Sequence, residues 1–294
     1  MTDFVSLTVL RQLVRQRADM ENSQFVTDTE LRRYINRGYA ELYELIITEA
    51  NSDDYFLNSY AFNLTSGTRA YDLPSDFYKM RGLDLTVGSD VMPIRRYNFS
   101  QRNVGSRYQV ARNLRYHLQG NQIYLNPKPS TSDSMTLWYI PTPKKFLEKT
   151  VTAITRGSST MWTVGANHGF VVGDLITGVN FINAANSTVD QTIRAVGAAT
   201  VTTDLDSSGL ADPTSFGNIE TRLDFFSGWD EFVICAAAID ALVKEEADVQ
   251  PMMMMKEETK NRIIAVSNMR DLGEPVSVTD ISGYYTDFAN MNWY

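Results

Sequence analysis

The chain has 294 residues, a net charge of −8 and an apolar fraction of 43%. That length points to about two domains, the apolar fraction suffices for a real core, and the acidity argues against a general nucleic-acid coat while leaving room for a local basic patch. The single Cys235 excludes an internal disulfide framework or a multi-cysteine metal site.

The N-terminus, MTDFVSLTVLRQLVRQ, lacks the basic-then-apolar order of a signal peptide. No run of ~18 apolar residues occurs, so no membrane span is expected. Ser6 to Arg17 reads as a short helix with Leu7, Leu10, Leu13 and Val14 inward. Arg11, Arg15 and Arg17 then fall on what should be a solvated face. Thr27 to Ala50 is the clearest helix. Leu31, Tyr34, Ile35, Gly38, Leu42, Leu45 and Ile46 share one side, and Thr27 with Glu30 forms a capping box. So amphipathic a helix is stabilised mainly by packing, and its best partners lie near the C-terminus.

From Tyr60 the period changes to two. Hairpin-like turns are expected at Ser66-Gly67, Gly88-Ser89-Asp90 and Gly120-Asn121, and MTLWYIPTP is a strand closed by Pro141 and Pro143. Within this region Arg95, Arg96, Arg102, Arg107, Arg112 and Arg115 occupy a stretch without Asp or Glu, interleaved with Tyr97, Phe99, Tyr108 and Tyr116. That composition suits single-strand nucleic acid and equally a protein interface. In an acidic chain the interface reading is preferred.

Residues 148–222 change to short β-branched runs separated by Gly and Asn turns, as in a small β module set into a surface loop. Helix returns after Ser227 or Gly228, with Phe232, Cys235, Ala236, Ile239, Leu242 and Val243 as its stripe. Pro251 opens another helix, whose stripe is Met252, Met255, Thr259, Ile263, Val266 and Met269. The tail lacks a period but carries Tyr284, Tyr285, Phe288, Trp293 and Tyr294, the residue types of binding anchors.

The expected fold is α+β: a helical bundle built from N- and C-terminal helices, a β-rich middle region, and an inserted small barrel or sandwich. The divisions are 1–59 and 223–271 for the helical body, 60–147 for the β-rich region, 148–222 for the insert and 272–294 for an extended tail. No catalytic motif is present: HExxH, GxSxG, CxxC and GxxxxGK[ST] are all missing, and the histidines are only His117 and His168. Asp204 to Gly209 resembles the start of a calcium loop, but its twelfth position is Ser215, so a turn is expected. No enzyme activity, cofactor or metal is anticipated.

The chain resembles the head–tail adaptor (connector) proteins of tailed bacteriophages. The resemblance rests on LRRYINRGYAELYELIITEANSDDYF, YDLPSDFYKMRGLDL, YHLQGNQIYLNPKP with LWYIPTPKKF, and GWDEFVICAAAIDALVKEEAD through NMRDLGEPVSVTD. Within residues 148–222, the segment from VTAITRG to HGFVVGDLITGV separately resembles small β modules of phage tail and baseplate proteins, and its presence departs from the compact adaptor pattern. The resemblance implies a structural virion protein of the neck or tail, assembled in the host cytoplasm. It also implies a homo-oligomeric ring of about twelve copies, a portal protein above, and further tail proteins (nozzle, tube or fibres) as partners. Genomic DNA would pass through the channel without specific binding. On this reading Tyr284, Tyr285, Phe288, Trp293 and Tyr294 would bind the portal or a neighbour, and Arg95, Arg96, Arg102 and Arg107 a subunit or tail-protein interface. The competing class is a virion-associated carbohydrate-binding protein or tail-tip hydrolase, which would need two carboxylates across a cleft. A DNA-binding regulator lacks a recognisable recognition unit.

Overall fold

The computed structural model describes residues 2–21, 25–48, 53–102, 114–181, 190–211, 213–226 and 228–267. Within them the chain is α+β, with four α-helices and sixteen strands. Helix α1 (Leu7–Arg17) starts where Ser6, in extended conformation, accepts a hydrogen bond from the Val9 amide. Helix α2 (Asp28–Thr48) opens with the capping box: the Thr27 amide donates to Glu30 Oε2 at 2.9 Å, and the Glu30 amide to Thr27 Oγ1 at 3.3 Å.

Helices α3 (Asp230–Lys244) and α4 (Gln250–Ser267) follow 182 residues after α2 but share its core. Leu10, Leu31, Ile35, Phe232, Val233 and Ile263 are among the buried residues of that one cluster. The α2–α3 crossing is tight at Gly38, where a Cβ would lie 3.0 Å from Ala236 Cβ and 3.2 Å from the Val233 carbonyl. Glycine serves here for close approach of two backbones rather than for a turn.

Both C-terminal helices differ in detail from their sequence patterns. Val243 is 60% exposed, turned outward between Leu242, which packs on the helical cluster, and Lys244, which pairs with Glu30 of α2. On α4 the buried positions are Thr259, Ile263 and Ser267, while Val266 is 51% exposed. Ser267 is tolerated inside because its hydroxyl donates to the Ile263 carbonyl at 2.7 Å. Trp229 takes the N-cap position of α3 without a side-chain cap, preceded by Gly228 at φ +81°. Pro251 is the second helical residue of α4, since Asp248 already accepts from the Gln250 amide.

The middle of the chain forms two four-stranded sheets over a shared apolar cluster that includes Leu83, Leu85, Ile123, Leu125, Met135 and Leu137. In one, β2 (Asn58–Asn63), β9 (Ser134–Pro141), β4 (Phe77–Val87) and β5 (Asp90–Pro93) lie in that order. In the other the order is β3 (Ala70–Asp72), β8 (Gln122–Asn126), β7 (Arg115–Gln119) and β6 (Arg95–Arg96). The turns at Gly88 and Gly120 close hairpins, as the sequence indicates. Ser66-Gly67 does not: β2 pairs with β9 and β3 with β8, so this turn carries the chain from one sheet to the other. Tyr43 of α2 donates to the Pro141 carbonyl at 2.5 Å and packs with Ile47 and Ile140, joining helix to sheet.

The third sheet has eight strands: β10 (Glu148–Thr150), β11 (Ala153–Thr155), β12 (Thr160–Thr163), β13 (Leu175–Val179), β14 (Gln191–Val196), β15 (Thr200–Thr203), β16 (Asn218–Phe226) and the N-terminal β1 (Thr2–Ser6). Trp162, Ile176, Ile193, Val201 and Ile219 belong to its own apolar cluster. The indole of Trp162 donates to Gln191 Oε1 and Thr203 Oγ1, both at 3.2 Å, so the polar groups within this core are paired. Strand β1 has no sequence signal. It pairs antiparallel with the far half of β16, from Ser6 opposite Arg222 to Thr2 opposite Phe226, while β10 pairs with the near half.

Candidate assembly interface

The basic stretch is placed on the outer strand of the second middle sheet. Ile94 and Tyr97 are buried, and their amides donate to the Leu83 and Tyr116 carbonyls. The two residues between them, Arg95 and Arg96, are exposed on β6, and Arg95 lies opposite the exposed Arg115. Arg102 is exposed after the 3₁₀ turn Phe99–Gln101, its guanidinium 4.7 Å from the centre of the Phe99 ring. Phe99 itself is 54% exposed.

The structure therefore brings Arg95, Arg96 and Arg115 together in register and leaves an Arg102–Phe99 pair outside. Arg107, Arg112 and Tyr108 lie outside the described residues, as do Tyr284, Tyr285, Phe288, Trp293 and Tyr294 of the tail. Of the aromatics interleaved with the arginines, Tyr97 points inward, and burial pushes the phenol pKa of Tyr97 and of Tyr116 above its usual value. That leaves Phe99 as the exposed ring among those described.

The basic face of α1 is not solvated. Arg11 is 8% exposed and forms a two-pronged pair with Glu148, Nη2 to Oε2 at 2.5 Å and Nη1 to Oε1 at 3.2 Å. Arg15 pairs with Asp28 and Arg17 with Glu231. Burial alone would raise the Glu148 carboxyl, but Arg11, Asn218 and Arg32 more than offset that, and it sits below the usual carboxylate range. Its cross-strand neighbour Glu220 is fully buried. There it accepts from the Thr8 amide at 3.1 Å and the Thr8 hydroxyl at 2.9 Å, at the start of α1, where a helix favours negative charge. Burial still pushes Glu220 upward, partly offset by Thr8 and Ser6 and reinforced by Glu148. No local motif announces this cluster, because Thr8 and Arg11 are more than 130 residues from the carboxylates they meet.

On the helical side, Met253 and Met254 are 49% and 73% exposed beside a groove of about 640 Å³ lined by Glu41, Leu45, Tyr78, Phe232 and Met253. Cys235 is fully buried, and burial followed by the Glu231 charge pushes its thiol up to about 11, which suits an inert core residue. His168 is held between the Gly197 carbonyl and the Phe170 amide. Asp206 accepts from the amide and hydroxyl of Ser208, a local turn. Among the described residues no group of three His, Cys, Asp or Glu could hold a metal ion, and no helix is long and apolar enough to cross a membrane.

Residues 6–163 match the SU10 adaptor protein family. The match covers more than half of the chain, and the chain belongs to that family of phage adaptors. It runs from the cap of α1 through both middle sheets to the end of β12. No curated protein matches the chain.

Proposed function

We propose that this phage adaptor, a structural virion component, works as a ring of about twelve copies beneath the portal, extending the DNA channel and docking further tail proteins. The observation that carries the reading is the family match, which spans the helices α1 and α2 and the sheet that bears the arginines. In this reading α1 to α4 act as a bundle forming the body of the ring. Residues 148–222 are an inserted β module that reaches peripheral partners, and the tail aromatics Tyr284, Tyr285, Phe288, Trp293 and Tyr294 anchor on the portal.

Arg95, Arg96, Arg102 and Arg107 are assigned to a subunit or tail-protein interface. Residues 58–141 hold ten Lys or Arg against five Asp or Glu, in a chain whose balance is −8. Copies of such a chain approach one another best with the basic region of one against an acidic surface of the next. Arginine suits that role because its planar fork pairs bidentately with carboxylates. Weak affinity for DNA also suits a channel, since every phosphate neutralised would add salt-sensitive binding.

Negative-stain imaging of the chain with portal-bearing heads tests the ring. A closed ring on the portal is expected, and heads that never acquire the chain would refute the reading. Changing Arg95, Arg96 and Arg102 to Ser should reduce assembly while leaving gel-shift behaviour with DNA unaltered. Strong salt-sensitive DNA binding by the wild type, abolished in the variant, would reassign the patch to nucleic acid.

A further inference from the structure

We propose that the outer edge of β2 is a docking site for a strand, and that its occupant is residues 276–282 of the same chain. Strand β2 is six residues long, and all but Phe62 are exposed. Among the described residues it pairs only on one side, with β9 in unbroken register from Asn58 opposite Tyr139 to Asn63 opposite Ser134. Its other edge presents the backbone groups of Ala61 and Asn63, while the Ser59 amide on that side donates to Asn58 Oδ1 at 2.9 Å.

Exposed edges are normally blunted by charge, proline, a bulge or shortness. The other sheet edges among the described residues follow that rule: β1 carries Asp3, β5 carries Asp90 and Pro93, β6 carries Arg95 and Arg96, and β3, β10 and β11 have three residues each. The sequence of β2, NSYAFN, has no charge and no proline, and its register shows no bulge. Among the described residues it is the edge without such protection, and so a template for an added strand.

The occupant is identified by pattern and reach. Val276-Ser277-Val278-Thr279-Asp280-Ile281-Ser282 is rich in β-branched residues. On β2, Tyr60 and Phe62 lie on the core side, opposite Leu137 and Met135, while Ser59 and Ala61 face outward opposite Trp138 and Thr136. A strand with Val276 and Val278 on one face and Ser277 and Thr279 on the other continues both surfaces. It would cover Tyr60, now 41% exposed. Reach is sufficient. Near its C-terminal end α4 is tied to the start of α3 by Arg262 donating to the Gly228 carbonyl at 2.7 Å. The next residue, Trp229, lies 5.6 Å from the ring of Tyr55, three residues before β2 begins. From Ser267 to Val276 the backbone spans up to about 30 Å, enough to bring the segment alongside β2 of its own copy.

The test is hydrogen exchange on the full chain against the chain truncated after Pro275. Every second amide of an edge strand faces outward, and the Ser59 amide already donates to Asn58 Oδ1, so truncation should convert the amides of Ala61 and Asn63 from slow to fast exchange. The full-length variant Ser277→Pro/Thr279→Pro, which keeps the terminal aromatics, should do the same with an unchanged circular dichroism spectrum. Portal attachment retained in that variant separates this docking from the portal-anchor reading of the tail. Uptake at 58–63 that is the same in all three chains, or slow exchange that disappears on dilution, overturns the proposal.

Discussion

Replacing Glu148 by alanine should uncouple α1 from the third sheet. The substitution leaves the Arg11 side chain, 10% exposed, with its principal partner gone. Breaking a buried pair by removing one member costs about 3–5 kcal/mol. The Glu148 side chain keeps 18% of its exposure, so water can screen part of the stranded charge, and about 2–3 kcal/mol is expected. At about 2–4 °C per kcal/mol for a chain of this size class, the midpoint should fall by roughly 5–10 °C. Urea titration followed by far-ultraviolet circular dichroism and tryptophan fluorescence reads both sides of the contact, since Trp229 belongs to the helical cluster and Trp162 to the β cluster. The double variant Arg11→Met/Glu148→Leu removes both charges and should recover most of the loss. An E148A protein within about 0.5 kcal/mol of wild type, or a double variant no better than the worse single one, would refute the reasoning.

Gly38→Ala should destabilise by about 1–3 kcal/mol through overpacking against Ala236 and the Val233 backbone, even though alanine is the better helix former by ~1 kcal/mol. Calorimetry checks the sign, and a stabilised variant would mean that the two helices separate at little cost. Glu30 is held down to about 2, first by its hydrogen bond from Lys244 and then by the Thr27 amide and hydroxyl. Its folded value lies below the ordinary 4.5, so its contribution is complete above that pH and is lost as pH falls toward 2. Helical ellipticity of wild type and Glu30→Gln should converge across that window. Strands β10 and β16 already pair at Thr150 opposite Asn218, and the Val151 amide donates to the Gly217 carbonyl. Replacing residues 152–216 with a short turn should therefore leave a hairpin and a folded helical body, checked by circular dichroism. Aggregation would show that the helices need the third sheet.

The parts of this fold that were legible in the sequence are those whose partners are local or whose pattern is long. The stripe of α2, the Thr27–Glu30 box and the hairpins at Gly88 and Gly120 needed no tertiary information. Arg11 was read as solvated because Glu148 lies 137 positions away, and nothing near α1 hints that a carboxylate will arrive there. Strand β1 was missed because five residues without clear alternation become a strand only when β16 offers an edge. The Ser66-Gly67 turn has hairpin chemistry, yet it joins two different sheets, since a turn sets local direction and not the choice of partner strand. For the interface, sequence located the arginines but could not tell that Tyr97 fills the core while Phe99 stands outside.

The antiparallel ladder between β1 and β16 has a mechanical consequence. Helix α1 leaves β1 at the Ser6–Arg222 end of the ladder, and α3 follows β16 beyond the opposite end, at Phe226. A load that draws the two helices apart along the strand axis therefore pulls the strands past each other. The ladder bonds lie perpendicular to the strands, so all five residue pairs resist together instead of opening one at a time from an end. Residues Thr2–Ser6 thus act as a shear joint between the first helix of the chain and the third.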